Sequence, residues 1–392
     1  MDNGKFGGRE VVIVEAVRTP IGRGHEEKGY YKDTHPSHLL AKTYSEVIER
    51  AGIEPSEVED VVTGCVQQFG EQGMNIGRNA WLEAGLPIET PATTIDRQCG
   101  SAQQAVNFAA ALVASGVHDA AIGSGVEHMG HISFADGMQV MSEHGAAFTP
   151  ELLERYNLVP QGISAEMIAD KREIPRSELD EIGLRSHQLA AKATEEGRFE
   201  REIVPFSVNG DTFVTDQGIR PDTSLEKLSQ LKPAFKEDGT ITAGNSSQIS
   251  DGAAAVLLMA REKAEALGLT PRARIVDQTT VGVDPVMMLT GPIPATRKLL
   301  ERNSMKMDDI DLVEINEAFA SVVAAWRREL DPDMDRVNVN GGAIALGHPL
   351  GSTGARLITT LLHELERSDN EVGLVTMCCG GGLGTGTLIQ RV

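Results

Sequence analysis

The stretch VIERAGIEPSEVEDV (residues 47–61) decides the fold, because its pattern returns 252 residues later as LLERNSMKMDDIDLV (residues 299–313). Both copies share an apolar pair, the dipeptide Glu-Arg, a later acidic residue and a closing valine. Each copy is typical of the end of an amphipathic helix, a short turn and a strand. The repeat predicts a chain built from two halves of the same fold.

The repetition extends to a second helix and strand in each half. The segment CGSAQQA (99–105) opens an apolar helix that leads to the strand DAAIGSG, and GSTGAR (351–356) opens a helix that leads to VGLVTMC. Buried-strand candidates at 11–17 and 273–276 begin the two halves. Strands and helices that alternate in this way predict an α/β fold in which helices cover both faces of each sheet.

A long segment without a counterpart in the second half interrupts the first half. The predicted boundaries place the first half at 1–120 plus 250–271, the inserted segment at 121–249 and the second half at 272–392. The insertion is polar and irregular, with one helix predicted around 177–196. Such an insertion is usually a lid or a substrate platform, although an ordinary surface excursion fits the composition equally well.

Composition excludes several classes of protein. A chain of 392 residues is too long for one core, and its 41% hydrophobic and 24% charged residues are typical of a globular protein. The net charge of −21 disfavours binding to nucleic acid and to anionic membranes. The N-terminal segment MDNGKFGGREVVIVEAVRTP has no apolar region of secretory length, and no run of about 18 apolar residues occurs, so we expect a cytoplasmic protein.

Cysteine and histidine supply the first candidates for chemistry. The four cysteines lack CxxC spacing, which disfavours a disulfide framework and a zinc site. Cys99 precedes a helix start, where free backbone N–H groups would lower the pKa of its thiol, yet a buried core cysteine fits the same pattern. His348 lies in a loop of glycine and proline before another helix, which favours a functional role.

Two further elements lie at strand ends. Cys378 and Cys379 close an apolar strand before the glycine run that contains Gly380, whose N–H groups are free to stabilise an oxyanion. Asn316 closes the strand DLVEI, where it could cap the next helix or face a ligand. Two thiols and an imidazole at one site would divide the work into a covalent nucleophile, its activating base and a second acid/base.

Five motifs in this order resemble the thiolase family, the enzymes that make or cleave 3-ketoacyl-CoA thioesters. The resemblance spans essentially the whole chain. The five motifs are DRQCGSAQQA (96–105), ITAGNSSQISDGAAA (241–255), NEAFA (316–320), GGAIALGHPLGSTGAR (341–356) and MCCGGGLGTG (377–386).

The resemblance implies a role for each catalytic candidate. Cys99 would carry the acyl group as a thioester, and His348 would deprotonate it and form a first oxyanion hole with a water held by Asn316. Cys378 would move the proton at the substrate α-carbon or on the CoA sulfur. The backbone N–H groups of Cys99 and Gly380 would form a second oxyanion hole.

The resemblance also implies the contacts to coenzyme A. Pantetheine would lie beside Ser247 and Phe319 and near Met288, with Arg220 and Phe235 towards the adenine end. A few local cations, such as Arg220, can outweigh the diffuse negative field of the net charge. CoA would be a substrate, and no metal or organic cofactor is implied.

The family's fold is a five-layer αβαβα sandwich of two sheets, and its members are dimers or dimers of dimers. The insertion 121–249 would be the CoA-binding loop domain. The chain departs from short-chain members of the family at PQGISAE (160–166), where those enzymes carry a His-Met pair, which leaves room for larger 3-ketoacyl groups.

Two other functions fit the same scaffold. A decarboxylating ketoacyl synthase shares the duplicated fold but completes its site with histidine or asparagine in place of Cys378. A catalytically silent CoA- or lipid-binding protein would not need Cys99, His348, Asn316 and Cys378 together.

Overall fold

The protein, analysed as a computed structural model, is described over residues 8–392. The first seven residues of the predicted first half, and of the N-terminal segment discussed above, lie outside the described residues. The strands are β1 (Val11–Arg18), β2 (Gly22–Arg23), β3 (Asp60–Gly64), β4 (Ala92–Ile95), β5 (Ala120–His128), β6 (Phe206–Val208), β7 (Asp211–Phe213), β8 (Ser250–Ala260), β9 (Ala273–Gly282), β10 (Leu312–Ile315), β11 (Val372–Cys379) and β12 (Leu383–Arg391). The helices are α1 (Pro36–Ala51), α2 (Ile76–Glu83), α3 (Ser101–Ala114), α4 (Phe134–His144), α5 (Pro150–Arg155), α6 (Gln161–Lys171), α7 (Arg176–Glu195), α8 (Leu225–Ser229), α9 (Arg261–Ala266), α10 (Pro292–Arg302), α11 (Ala320–Leu330), α12 (Ala343–Leu346) and α13 (Thr353–Arg367).

Two half-sheets of matching strand order form the centre of the molecule. The first half-sheet runs β4-β3-β5-β8-β1 and the second runs β9-β12-β11-β10, and a short antiparallel pairing of β1 with β9 joins them. The strand that would match β4 is reduced in the second half to a single parallel bridge between Val313 and Val337. The predicted duplication is therefore confirmed.

Three apolar cores divide the fold into five layers. Helices α3 and α13 share the central core with strands of both half-sheets. Helices α1 and α2 cover the outer face of the first half-sheet, where Trp81 is fully buried. Helices α10 and α11 cover the outer face of the second, where Trp326 is fully buried. This arrangement is the predicted αβαβα sandwich.

The two central helices start against each other. A Cβ atom on Gly354, in the first turn of α13, would lie 2.2 Å from the backbone nitrogen of Gln103 in the first turn of α3. A Cβ atom on Gly125 in β5 would lie 2.0 Å from the carbonyl oxygen of Gly351. These approaches need glycine, because any side chain would separate the two helix starts. The packing of α3 on α13 thus brings the Cys99 segment of one half to the His348 segment of the other.

The inserted segment packs on the second half of the molecule. Its helices α6 and α7 share the outer core with α11, and α7 agrees with the helix predicted around 177–196. One predicted boundary differs from the structure, because β5 continues through His128 in the middle of the first half-sheet. The boundary at 120/121 would cut this strand, so the excursion from the sheet starts after His128. None of the helices within residues 8–392 is long and apolar enough to cross a membrane.

Candidate active site

Cys99 is held at the start of α3 by a tight local turn. Gly100 is the N-cap residue of the helix. The hydroxyl of Ser101 accepts a hydrogen bond from the backbone nitrogen of Arg97 at 2.8 Å and donates one to the carbonyl of Gln98 at 2.6 Å. The Cys99 side chain is buried, with 2% of the residue exposed. The sulfur is therefore fixed by the backbone on both sides.

The environment of the Cys99 thiol differs from the expectation drawn from the helix start. Burial raises the pKa of the thiol to about 11, and the backbone N–H groups of Gly380 and of Cys99 itself oppose this rise without reversing it. The side chain of Gln161 also donates to the sulfur. The expectation of a lowered pKa is wrong for the free protein, because desolvation outweighs the dipole of the helix. Cys99 keeps its proton at neutral pH and needs a base.

His348 offers an unprotonated ring nitrogen at the same site. Its Nδ1 lies 2.7 Å from the hydroxyl oxygen of Thr353, and that hydroxyl donates to the carbonyl of Pro349 at 2.8 Å. Since the hydroxyl proton is used, Nδ1 carries a hydrogen and donates it to Thr353. The lone pair of the ring is therefore on Nε2. Burial, and the charge of Arg356, lower the pKa of His348 to about 3, which keeps the imidazole neutral.

Asn316 faces this lone pair. Its Nδ2 donates to Nε2 of His348 across 3.3 Å. The helix that follows, α11, starts at Ala320 with Phe319 as its N-cap residue, so Asn316 does not cap it. Within the described part of the chain, the buried Oδ1 of Asn316 has no hydrogen-bond partner. A buried acceptor of this kind is suited to hold a water molecule.

The paired cysteines end β11 on opposite sides of the second half-sheet. Cys379 lies in the central core with Cys99, and Cys378 lies in the outer core. Burial raises the pKa of both thiols, and a negative charge on Cys99 would raise them further. Gly381 and Gly382, both at φ +76°, then turn the chain into β12. The turn aims the N–H group of Gly380 at the sulfur of Cys99.

A cavity of about 410 Å³ leads from the surface to His348. Of the predicted CoA contacts, Phe235, Ser247 and Phe319 line it. The rings of Phe235 and Phe319 meet edge to face with centroids 5.8 Å apart. The backbone nitrogen of Ser247 donates to the carbonyl of Ala318 at 3.0 Å, which ties the two walls together.

The other two predicted contacts lie outside this lining. Arg220 is exposed, with its backbone nitrogen 3.1 Å from Nδ1 of His187 on α7. Met288 is buried in the outer core at a positive φ of 48°. The structure thus brings three of the five predicted CoA contacts to the cavity.

Sequence reasoning missed several residues of the site. The cavity also contains Gln161 at the start of α6, together with Met129, Phe134 and Leu350. Thr353, which fixes the tautomer of His348, belongs to the motif 341–356 and was open to inference from its spacing of five residues. Within residues 8–392, no group of three or more His, Cys, Asp or Glu side chains could hold a metal ion.

Comparisons with known proteins agree with this arrangement. The family model described as "Thiolase, N-terminal domain" matches residues 11–262, and the one described as "Thiolase, C-terminal domain" matches residues 269–391. The chain is 45% identical over 389 residues to the steroid 3-ketoacyl-CoA thiolase FadA6 of Mycobacterium tuberculosis, which covers 98% of this chain and 94% of that protein. It is 44% identical to a 3-ketoacyl-CoA thiolase of Marinobacter nauticus, over 98% of this chain and 99% of that protein.

A solved structure gives the same result. The crystal structure of the Bacillus anthracis acetyl-CoA acetyltransferase superposes with a TM-score of 0.89 at 40% identity, covering 100% of both chains. Because both family models match in order and relatives above 40% identity cover nearly the full length, the chain belongs to the thiolase family, the enzymes that transfer acyl groups between thioesters of coenzyme A.

Proposed function

We propose that this thiolase works through an acyl-Cys99 thioester, with His348 as the base and Cys378 as the second acid/base. The observations that carry the proposal are a buried, protonated Cys99 thiol and a neutral His348 imidazole with its lone pair on Nε2, on two segments that the packing of α3 on α13 brings together. Such a pair can exchange a proton only when a reaction consumes the thiolate.

The first half-reaction transfers the shortened acyl group to the protein. Nε2 of His348 takes the proton of Cys99, and the thiolate attacks the 3-keto carbon of the substrate. The bond between C2 and C3 breaks, and its electron pair forms the enolate of acetyl-CoA. Cys378 donates its proton to C2, which releases acetyl-CoA and leaves Cys378 as a thiolate.

The second half-reaction regenerates the free protein. The Cys378 thiolate takes the proton of an incoming CoA thiol, and the CoA sulfur attacks the acyl-Cys99 thioester. Cys99 leaves as a thiolate and recovers its proton from His348. Negative charge on the acyl oxygen would be stabilised by the N–H groups of Cys99 and Gly380, and charge on the acetyl-CoA oxygen by His348 and a water on Asn316.

We propose that coenzyme A enters through the cavity lined by Phe235, Ser247 and Phe319. Arg220 would contact the charged end of the nucleotide, which agrees with its position at the surface. Met288 would act through Phe319, since both lie in one core. The acyl groups would be larger than acetyl. The absence of the His-Met pair of short-chain enzymes supports this, as does the apolar lining of the cavity by Met129 and Leu350.

We also propose a cytoplasmic homodimer or homotetramer that takes part in fatty acid breakdown by β-oxidation. Four free, buried cysteines suit a reducing compartment. Helices α4 and α5 contain no buried residue and expose Phe134, Met138 and Leu153, an apolar surface that association would cover.

Intact mass spectrometry tests the proposal. Incubation with acetyl-CoA should add one acetyl group to the wild-type protein and none to Cys99→Ser; an adduct that persists on the variant would contradict the assignment. A panel of 3-ketoacyl-CoAs, from four carbons to bulky ring-bearing chains, would then give the acyl preference. No thiolysis of any member by CoA would favour a silent CoA-binding protein instead.

A further inference from the structure

The Cys99 sulfur has a neighbour that neither the motifs nor the proposed mechanism uses. Gln161 is the first residue of α6, and its side chain donates to Cys99. A Cβ atom on Gly380 would lie 2.8 Å from Nε2 of Gln161, so this amide lies directly against Gly380, whose N–H group also hydrogen-bonds the Cys99 sulfur. Gln161 also lines the cavity that ends at His348.

Helix α6, which carries this amide, is anchored near its start. The carboxylate of Glu166 accepts hydrogen bonds from the backbone nitrogens of Thr240 at 2.8 Å and Ile241 at 2.9 Å. The hydroxyl of Ser164 donates to the carbonyl of Val286 at 2.6 Å. The first two turns of α6 are thus anchored to two other segments, and Gln161 starts a rigid element.

Formation of the Cys99 thiolate needs a hydrogen-bond donor of this kind. In the free protein the thiol keeps its proton strongly and the imidazole accepts one weakly, so forming the thiolate is uphill. The surroundings of the sulfur work against it, since burial disfavours the thiolate and Glu127 adds a negative charge nearby. Hydrogen bonds to an ionised acceptor are roughly twice as strong as those to a neutral one. A third donor therefore stabilises the thiolate more than the thiol.

We propose that Gln161 is a catalytic residue whose Nε2–H stabilises the thiolate of Cys99, as a third donor beside the N–H groups of Cys99 and Gly380. The proposal rests on Cys99 being the nucleophile. The amide neither gains nor loses a proton; it lowers the free energy of the ion pair formed when His348 takes the proton of Cys99. Methionine is close to glutamine in length but has no N–H group, so it cannot replace this function.

The test measures thiolate formation separately from turnover. Gln161→Met should lower the rate of Cys99 alkylation by iodoacetamide at about pH 8 by about three- to tenfold, because less thiolate forms and its higher intrinsic reactivity compensates only in part. Gln161→Glu keeps the size and replaces the donor by a carboxylate, so it should lower the rate at least as much. Gln188→Met on the exposed face of α7 is the matched control and should leave the rate unchanged.

Alkylation within twofold of wild type in both Gln161 variants would overturn the proposal, including the case in which KM alone rises, which would make Gln161 a substrate contact. Thermal melting identifies a variant that fails to fold, and the second variant then decides. Peptide mass spectrometry locates the alkylated residue. Wild-type protein that alkylates at Cys99 but takes no acetyl group from acetyl-CoA would contradict the proposed function and leave the Gln161 measurement intact.

Discussion

In each half of this thiolase, the end of a central strand contacts the helix start of the other half, a contact that we call a corner. The two corners are formed by different residues. With the offset of 252 residues, Glu127 at the end of β5 corresponds to Cys379 at the end of β11, and Cys99 corresponds to Gly351. The carboxylate of Glu127 accepts the N–H group of Gly351 in the other half at 2.8 Å. In the reciprocal position, Cys379 interacts with the N–H group of Gly100.

The two corners differ in the hydrogen bonds that they make, so we expect the Glu127 corner to contribute more to the stability of the fold. Glu127 also accepts hydrogen bonds from the backbone nitrogens of Val66 and Gln67 and from the side chain of Gln72, at 2.9 to 3.1 Å. Cysteine sulfur is a weak acceptor, and within residues 8–392 Cys379 has no comparable set of hydrogen bonds, its partners being Thr385 and Gly100. Duplication thus gave one crossing that a hydrogen-bonded carboxylate holds together and one that is built from thiols.

The largest expected effect comes from the thiol next to the second corner. Cys378→Ala should still form acyl-Cys99 on incubation with acetyl-CoA, since His348 remains, but turnover should fall by about a thousandfold, the usual contribution of a general acid/base. Intact mass and steady-state thiolysis measure the two steps. Unchanged turnover would remove Cys378 from the mechanism.

Breaking the carboxylate corner should affect stability more than chemistry. Glu127→Gln turns an NH₂ group towards backbone donors and leaves buried N–H groups unpaired, which should lower the free energy of unfolding by about 2–4 kcal/mol. Urea denaturation measures this. Glu195→Gln on the exposed face of α7 is the control and should change stability by less than about 0.5 kcal/mol. Equal effects in both variants would show that the Glu127 bonds contribute little.

The helix start of the second half offers a sharper comparison, because Thr353 corresponds to Ser101. Both hydroxyls fix a loop, but that of Thr353 also fixes the tautomer of His348. Thr353→Val keeps the shape, frees the Nδ1–H group and should slow acylation about tenfold. Thr353→Ser should restore the rate. NMR of ¹⁵N-labelled histidine should show a mixed tautomer in the valine variant alone; a single unchanged tautomer there would make Thr353 purely structural.

Local patterns in the sequence predicted most of the fold. The apolar periodicity and the glycines that start α3 and α13 are encoded within short windows, and the structure reproduces their spacing. The reduction of a fifth strand to one bridge at Val337 was not predictable, because it depends on how the sheet edge is covered. The boundary at 120/121 cut β5 for a related reason: strand membership is decided by partners far along the chain.

The candidate site was predicted only in part, because some of its features depend on contacts between segments that are distant along the chain. Cys99, His348 and Cys378 stand out because reactive residue types sit in glycine-rich loops. The pKa of Cys99 was misjudged, since the helix dipole is local whereas desolvation comes from the whole cavity. Gln161 was visible as a departure from the family pattern, but its contact with a sulfur 62 positions away depends on the packing of α6.

The last prediction concerns acid stability and another residue of α13. Burial, together with the charge of Arg272, lowers the pKa of His363 to about 3, and its Nε2 bonds the carbonyl of Ala16 at 3.1 Å. An unfolded histidine binds a proton below about pH 6.5, whereas the folded one does so only near pH 3. The unfolded state therefore binds more protons in this window, and stability falls as the pH falls, by about 2 kcal/mol for this residue between about pH 6.5 and pH 5.

Comparison with a variant isolates this contribution from opposing ones. Burial raises the pKa of Asp251 to about 7 and of Glu314 to about 8, so these groups take up protons in the folded state and stabilise it as the pH falls. Their effect is common to the wild type and to His363→Gln, which has no proton to bind. The difference in unfolding free energy between the two proteins, measured by urea denaturation, should therefore shift by about 2 kcal/mol in favour of the variant between about pH 6.5 and pH 5. A difference independent of pH would mean that His363 has the same pKa in the folded protein as in the unfolded chain, with the carboxylate of Glu366 offsetting its burial.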